Sequence, residues 1–343
     1  VAGKIKVGSS DVSKIYRGAT LVWPTTFVCS FTFTSKAQLQ TAVGQWISSR
    51  AYALSTYGPI NNWCTGAITD MSSLFSYKTT FNDDISNWDV SNVTNMANMF
   101  DNALAFNQPL NSWDVSSVTN MNTTFGNARV FNQNLNSWDM SSVTDMFNMF
   151  YYAYAFNGNI GSWDVSSVTS TYGTFFNASA FNQNISSWNV SSVTTTQGMF
   201  GNTSSFNQPI DAWNVSSLRN MAGMFYDATS FDQSLNSWDV SSVTDTRNVF
   251  WGATAFNGNI GSWNVSSVNQ MSHMFYDATS FNQDIGAWDV SGVYNMPFMF
   301  FDATIFNQDL TGWCVSNISS EPTQFSTNSA LTTANKPDWG NCP

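Results

Sequence analysis

Apolar positions along this chain recur with a period of 25. Steps of 25 from Trp63 land on Trp88, Trp113, Trp138, Trp163, Trp188, Trp213, Trp238, Trp263, Trp288 and Trp313 without a slip. Phenylalanine behaves the same way, once from Phe75 to Phe325 and again from Phe81 to Phe306. A fixed period of about 20–50 residues predicts stacked units, each of which buries on its neighbours an apolar face it cannot bury alone.

Within a unit the spacing changes character. Leu110, Trp113 and Val115 form L-x-x-W-x-V, which places three apolar side chains where a leucine-rich repeat has L-x-x-L-x-L and predicts a short strand. Val118, Met121, Phe125 and Ala128 follow at steps of three, four and three, which predicts one face of a short helix or helical turn. Ser116 and Ser117 stand before it as N-cap candidates. The predicted fold is therefore α/β: a leucine-rich-repeat-like, right-handed solenoid of about eleven 25-residue coils, each a short strand plus a short helix or helical turn. At a sheet spacing of ~4.8 Å, ten steps from Trp63 to Trp313 make a rod of roughly 50 Å.

Composition narrows the function. The 343 residues are 43% hydrophobic and 16% aromatic, enough for a large core, and only 10% are charged. A net charge of -11 argues against nucleic acid or an anionic membrane surface as partner. The sign is uneven, because residues 1–50 hold six basic residues against the single acid Asp11. No stretch of 18 or more apolar residues occurs, so no membrane-inserting segment is expected. Val1 leads straight into AGKIKVGSS, with no apolar signal core and no lipidated cysteine.

Little in the sequence suggests catalysis. His273 is the one histidine and Glu321 the one glutamate, and no P-loop, dinucleotide fingerprint, nucleophile elbow or zinc spacing is present. No catalytic residue, metal ligand or cofactor is assigned. The outward column Asp89, Asp114, Asp139, Asp164, Asp239 and Asp289 is interrupted by Asn189, Asn214 and Asn264, which fits solvated capping residues better than paired acids or a calcium bridge. The Asn column from Asn82 to Asn307, with Asp232 as its exception, is expected to satisfy backbone groups of adjacent coils. The Thr column that begins at Thr94 breaks at Arg219, Asn269 and Tyr294, against an ice-binding array, and nine N-x-S/T sequons are expected from the composition.

The drifting positions are where function is expected. Directly after the inward phenylalanine stand Tyr151, Phe176, Tyr226, Trp251, Tyr276 and Phe301. One residue turns a helical side chain ~100° from the core direction, so this stripe is a candidate ligand- or partner-binding face. Widening of the core, or packing against a second copy, is the other role open to it.

The units MFDNALAFNQPLNSWDVSSVTNM and MFYDATSFNQDIGAWDVSGVYNM resemble the BspA-like leucine-rich-repeat surface proteins, including the mycoplasma-type lipoprotein repeats. LQTAVGQWISSRAYALSTYGPINNW resembles that family's helical N-terminal cap, and EPTQFSTNSALTTANKPDWGNCP its closing cap. KIKVGSSDVSKIYRGATLVWPTT resembles a short β module of bacteriophage virion and tail-fibre proteins, through Gly8, Tyr16, Gly18, Val22, Trp23 and Pro24. These resemblances imply a β attachment module at 1–26, a helical cap at 27–58, the repeats at 59–318 and a closing cap at 319–343. They also imply a virion or extracellular location and a non-enzymatic role in adhesion or host recognition. Implied partners are a host-surface protein or glycan, and other virion proteins through residues 1–26, with oligomerisation possible. A purely structural decoration protein, a cell-surface adhesin and a polysaccharide-degrading fibre are the alternatives.

The cysteines lie two near each end: Cys29, Cys64, Cys314 and Cys342. Cys64 and Cys314 each follow a ladder tryptophan, ten coils apart, too far for a bond that needs Cα atoms within about 7 Å. The expected pairs are Cys29 with Cys64 and Cys314 with Cys342.

Overall fold

The computed structural model describes the backbone of residues 5–7, 10–12, 15–17 and 20–22 and the whole of residues 28–343. Near the N-terminus, β1 (Ile5–Val7) pairs antiparallel with β2 (Ser10–Val12), and β3 (Ile15–Arg17) with β4 (Thr20–Val22). Gly8, Gly18, Trp23 and Pro24 of the virion-like motif lie outside the described residues.

Next comes β5 (Phe31–Thr32), which pairs parallel with β6 (Trp63–Cys64). Two helices lie between them. In α1 (Lys36–Ser48) the buried residues Leu39, Ala42, Val43 and Trp46 follow a helical stripe, and the Ser35 hydroxyl caps the start by accepting from the Gln38 N–H. In α2 (Arg50–Tyr57) the chain ends on Gly58, whose φ of 73° and close approach to Ser30 exclude a Cβ. This cap is pinned to the first repeats: the Trp46 indole donates to Asp83 at 2.9 Å, Arg50 stacks over Trp46 and pairs with Asp83, and Lys36 pairs with Asp70 at 3.1 Å.

From there on the chain is a repeat protein in which equivalent residues sit on one another. Phe100, Phe125 and Phe150 stack at ring distances of 5.4 Å, and Trp138, Trp163 and Trp188 at 6.4 and 6.0 Å. From Trp88 to Trp313 each buried indole of the column also donates to a carbonyl 28 residues earlier, as Trp138 does to Leu110 at 2.9 Å, so its one polar atom is not orphaned. The Asn column satisfies backbone groups of adjacent repeats, as its spacing predicts. Asn82 Oδ1 accepts from the Asn107 N–H at 2.8 Å, Asn107 Oδ1 from the Asn132 N–H at 2.9 Å, and Asp232 Oδ1 from the Asn257 N–H at 2.7 Å.

The strand and helix expected within each coil are not what forms. Among the described residues the two α-helices both lie in the N-terminal cap. In the segment predicted helical, the N–H groups alternate. Those of Met96, Asn98, Phe100 and Asn102 donate forward to residues 120, 122, 124 and 126 of the next repeat, at 2.7–2.9 Å, while those of Met99, Asp101 and Ala103 close turns three residues back. A helix would send every one of them four residues back. The left-handed φ of 56° at Asn98 and 57° at Asn102 also breaks helical continuity. The L-x-x-W-x-V segment is likewise a run of turns, with Trp113 N–H on Leu110 and Val118 N–H on Val115. Parallel bridging occurs elsewhere, through single residues from Asp70 and Asn95 to Asn295. Ser116 and Ser117 therefore cap no helix; instead the Asp114 carboxylate accepts from the Ser116 N–H and hydroxyl at 3.1 and 2.6 Å, closing a turn, which holds its pKa below the usual carboxylate range.

Both expected disulfides are present, Cys29–Cys64 with Cα atoms 5.5 Å apart and Cys314–Cys342 at 4.0 Å. At the far end Phe325 takes the next place in its column but turns edge-on to Phe300, 5.3 Å away, and Trp339 packs edge-on against it in turn. The stack is closed by changing ring orientation.

Candidate functional site

The turns that replace the helix decide which side chains reach the surface. The residue after each inward phenylalanine has its N–H bonded three residues back, and its side chain leaves the core. Tyr151, Phe176, Tyr226, Trp251, Tyr276 and Phe301 are all half-buried, and none belongs to the continuous apolar core that contains Phe150, Phe175 and their equivalents. Tyr151 stacks on Phe176 at 5.4 Å. In a second group, Tyr226 leans on Trp251 at 5.6 Å, Trp251 stacks on Tyr276 at 4.3 Å and Tyr276 on Phe301 at 4.7 Å. Phe176 and Tyr226, two repeats apart, do not meet, because Gly201 stands between them.

Several members of this face come from columns that the spacing argument passed over. Phe147 stacks on Tyr172 at 5.0 Å, and Tyr152 lies 4.4 Å from Tyr151. His273 is held between Trp251 and Phe298, 4.8 Å from each ring, and burial lowers its pKa. The signal was available: position by position, Gly173, Gly198, Gly223, Asn248, His273 and Phe298 form one column, as do Phe147, Tyr172, Gln197, Ala222 and Arg247.

Between the two aromatic groups lies a cavity of about 680 Å³. Its floor is made by Gly173, Gly198, Ala222 and Gly223, and its ends by Tyr151, Tyr172 and Phe176 on one side and Tyr226 and Arg247 on the other. Its rim carries amides, among them Asn177, Gln197, Asn202 and Asn248. The Arg247 guanidinium is already committed to Asp245 through two bonds of 2.9 and 2.6 Å. Asn148 Oδ1, at the cavity edge, is buried without a hydrogen-bond partner. Among the described residues no group of three His, Cys, Asp or Glu side chains is gathered to hold a metal ion.

Acidic groups beside this face are perturbed by packing. Asp227 follows Tyr226 in the left-handed position, with a φ of 51°, and Gly252 in the next repeat leaves the room its carboxylate occupies. Burial is the main cause that raises the Asp227 pKa; the Tyr226 hydroxyl acts the other way, and Asp277 adds to the rise. A raised folded pKa means that the charged form costs stability above that pKa and nothing below the unfolded value of about 3.9. Asp227→Asn, the residue found at Asn177 and Asn202 in the same column, is therefore expected to raise the unfolding free energy measured by urea titration at pH 7, by less than about 1 kcal/mol given the side chain's exposure. Near pH 3 the gain should vanish. A variant as stable as the parent at pH 7, or more stable only in acid, contradicts the assignment.

Three overlapping stretches, residues 44–162, 133–238 and 228–339, match a family model described as "Mycoplasma protein of unknown function, DUF285". No curated protein and no solved structure matches the chain.

Proposed function

We propose, from the premise that the chain belongs to the DUF285 family of Mycoplasma proteins, that it is a non-enzymatic extracellular recognition protein that binds a host-surface glycan or protein through its aromatic face. Its repeats are taken as a leucine-rich-repeat-like, right-handed solenoid that holds this face rigid. The observation that carries the proposal is the pair of stacked, half-buried aromatic groups that run along one column of the repeats. Exposed Tyr and Trp held by neighbours lose little freedom on binding and bury much apolar area, which is why they dominate recognition surfaces. The disulfides at both ends favour an oxidising, extracellular setting.

On the resemblance of residues 1–26 to virion modules, we place the protein on a virion, as a fibre or decoration component held by that segment. Display on a cell surface is the second reading, on the resemblance of the repeats to BspA-like surface proteins.

Soluble protein added to a panel of bacterial and animal cells is expected to bind at least one of them. Trp251→Ala with Tyr276→Ala should weaken that binding by about 1–3 kcal/mol and leave the melting temperature almost unchanged. Binding unaltered while the melting temperature falls steeply would make these residues packing elements and remove the proposed face.

A further inference from the structure

The cavity between the two aromatic groups lies over a column of left-handed backbone that carries both glycine and larger residues along the stack. In its floor column all members have left-handed φ, including Asn98, Thr123, Asn148, Asn248, His273 and Phe298 at 53–59°. The conformation therefore accepts large side chains, yet three consecutive repeats carry Gly173, Gly198 and Gly223. A Cβ on Gly198 would meet Phe176 at an ordinary 3.5 Å and one on Gly223 would meet Tyr226 at 3.8 Å, so neither is excluded by space. Gly201 differs: a Cβ there would come within 2.5 Å of Phe176, whose ring lies across it. Packing explains Gly201; at Gly198 and Gly223 the left-handed backbone favours glycine, and the missing side chains leave the volume above them open.

The chemistry of the lining selects the occupant. Its one cation, Arg247, is neutralised by Asp245, so an anionic ligand finds no unpaired counter-charge. The amides of Asn177, Asn202 and Asn248 make no side-chain hydrogen bond to any described residue, whereas in the same column as Asn177 and Asn202 the Asn127 amide bonds to Asn102 at 2.6 Å. Neutral donors and acceptors beside the flat faces of Tyr151, Phe176 and Tyr226 suit a ligand with hydroxyls at its edge and C–H groups on its face, because the ring face is the negative part of the aromatic quadrupole. A volume of 680 Å³ falls within the range of about 300–1,000 Å³ usual for small-ligand sites.

We propose that this cavity is a subsite for a neutral glycan laid along the stack, its pyranose rings on Phe176 and Tyr226 and its hydroxyls on the amides of Asn177, Asn202 and Asn248. This rests on the recognition role above and names the ligand class for one part of that face. The test is calorimetric titration of the full chain with neutral hexasaccharides of glucose, mannose and N-acetylglucosamine, beside a hyaluronan hexasaccharide and an extended peptide. At least one neutral hexasaccharide is expected to bind, with an affinity that does not change between low salt and 0.5 M salt (about a 4 Å screening length). Gly198→Phe, which copies Phe298 in the same column, should fill the cavity and reduce that affinity at least about tenfold. Tyr226→Ala, which removes a wall without adding bulk, should do the same and guards against misfolding of the first variant. Binding of only the anionic sugar or the peptide, no binding by any neutral sugar, or unchanged affinity in both variants would overturn the proposal. If the cell binding lost in the Trp251 and Tyr276 double variant persists in Gly198→Phe, the subsite fails while the recognition role stands.

Discussion

Phe175→Ala is expected to cost about 3–5 kcal/mol, the largest effect of any single substitution considered for this protein. Phe175 is fully buried in the middle of the stack, with Phe181 at 4.0 Å in its own repeat, Phe150 and Phe200 at 5.7 and 5.8 Å on either side, and Trp188 at 6.2 Å. Truncation removes contacts in three repeats at once and leaves a cavity that the flanking rings, held by their own neighbours, cannot close. Because stability in a repeat array is a sum of unit and nearest-neighbour terms, the lost coupling should also divide the array. Urea unfolding followed by tryptophan fluorescence should then broaden into two steps, and hydrogen exchange should quicken on both sides of residue 175. A single sharp transition displaced by less than about 1 kcal/mol would show that the columns do not carry the cooperativity.

Cys314→Ser with Cys342→Ser is expected to cost about 3–4 kcal/mol on a chain-entropy estimate for a closed loop of 28 residues. The loss should be local. The bridge ties the closing cap to the last repeat beside the Val315 N–H bond to Asn341 at 2.9 Å and the edge-on pair of Phe325 and Trp339. Without it, residues 319–343 are expected to exchange amide hydrogen early while the central repeats keep their protection. Exchange rates unchanged in the cap would mean that the ring contacts and hydrogen bonds alone close the stack.

The columns were legible because a period of 25 returns each side chain to one environment. Once Trp63 and Phe75 are seen to recur, the core and the adjacent half-exposed stripe follow, as do the Asn column and both cysteine pairs. The backbone between the columns was not legible from apolar spacing. Steps of three, four and three at Val118, Met121, Phe125 and Ala128 suit a helix, but they suit equally a run of three-residue turns whose N–H groups alternate between their own turn and the next repeat. The Asn, Asp and Gly residues at positions such as Asn98, Asn102, Gly173 and Asp227 carried the better signal, since left-handed φ favours them and a helix interior does not.

What the sequence by itself determined is therefore the set of side chains that share a column, since periodicity alone assigns equivalent places. Tertiary structure decided two further things. The first is that alternate N–H groups bond to the next repeat and not to their own turn, a choice available only when a neighbouring repeat presents carbonyls 24 residues ahead. The second is the cavity, which exists because Phe176 leans across Gly201 while nothing leans across Gly198 and Gly223. Both depend on contacts between residues far apart along the chain, and a one-dimensional pattern records which residues recur without recording which way each one turns.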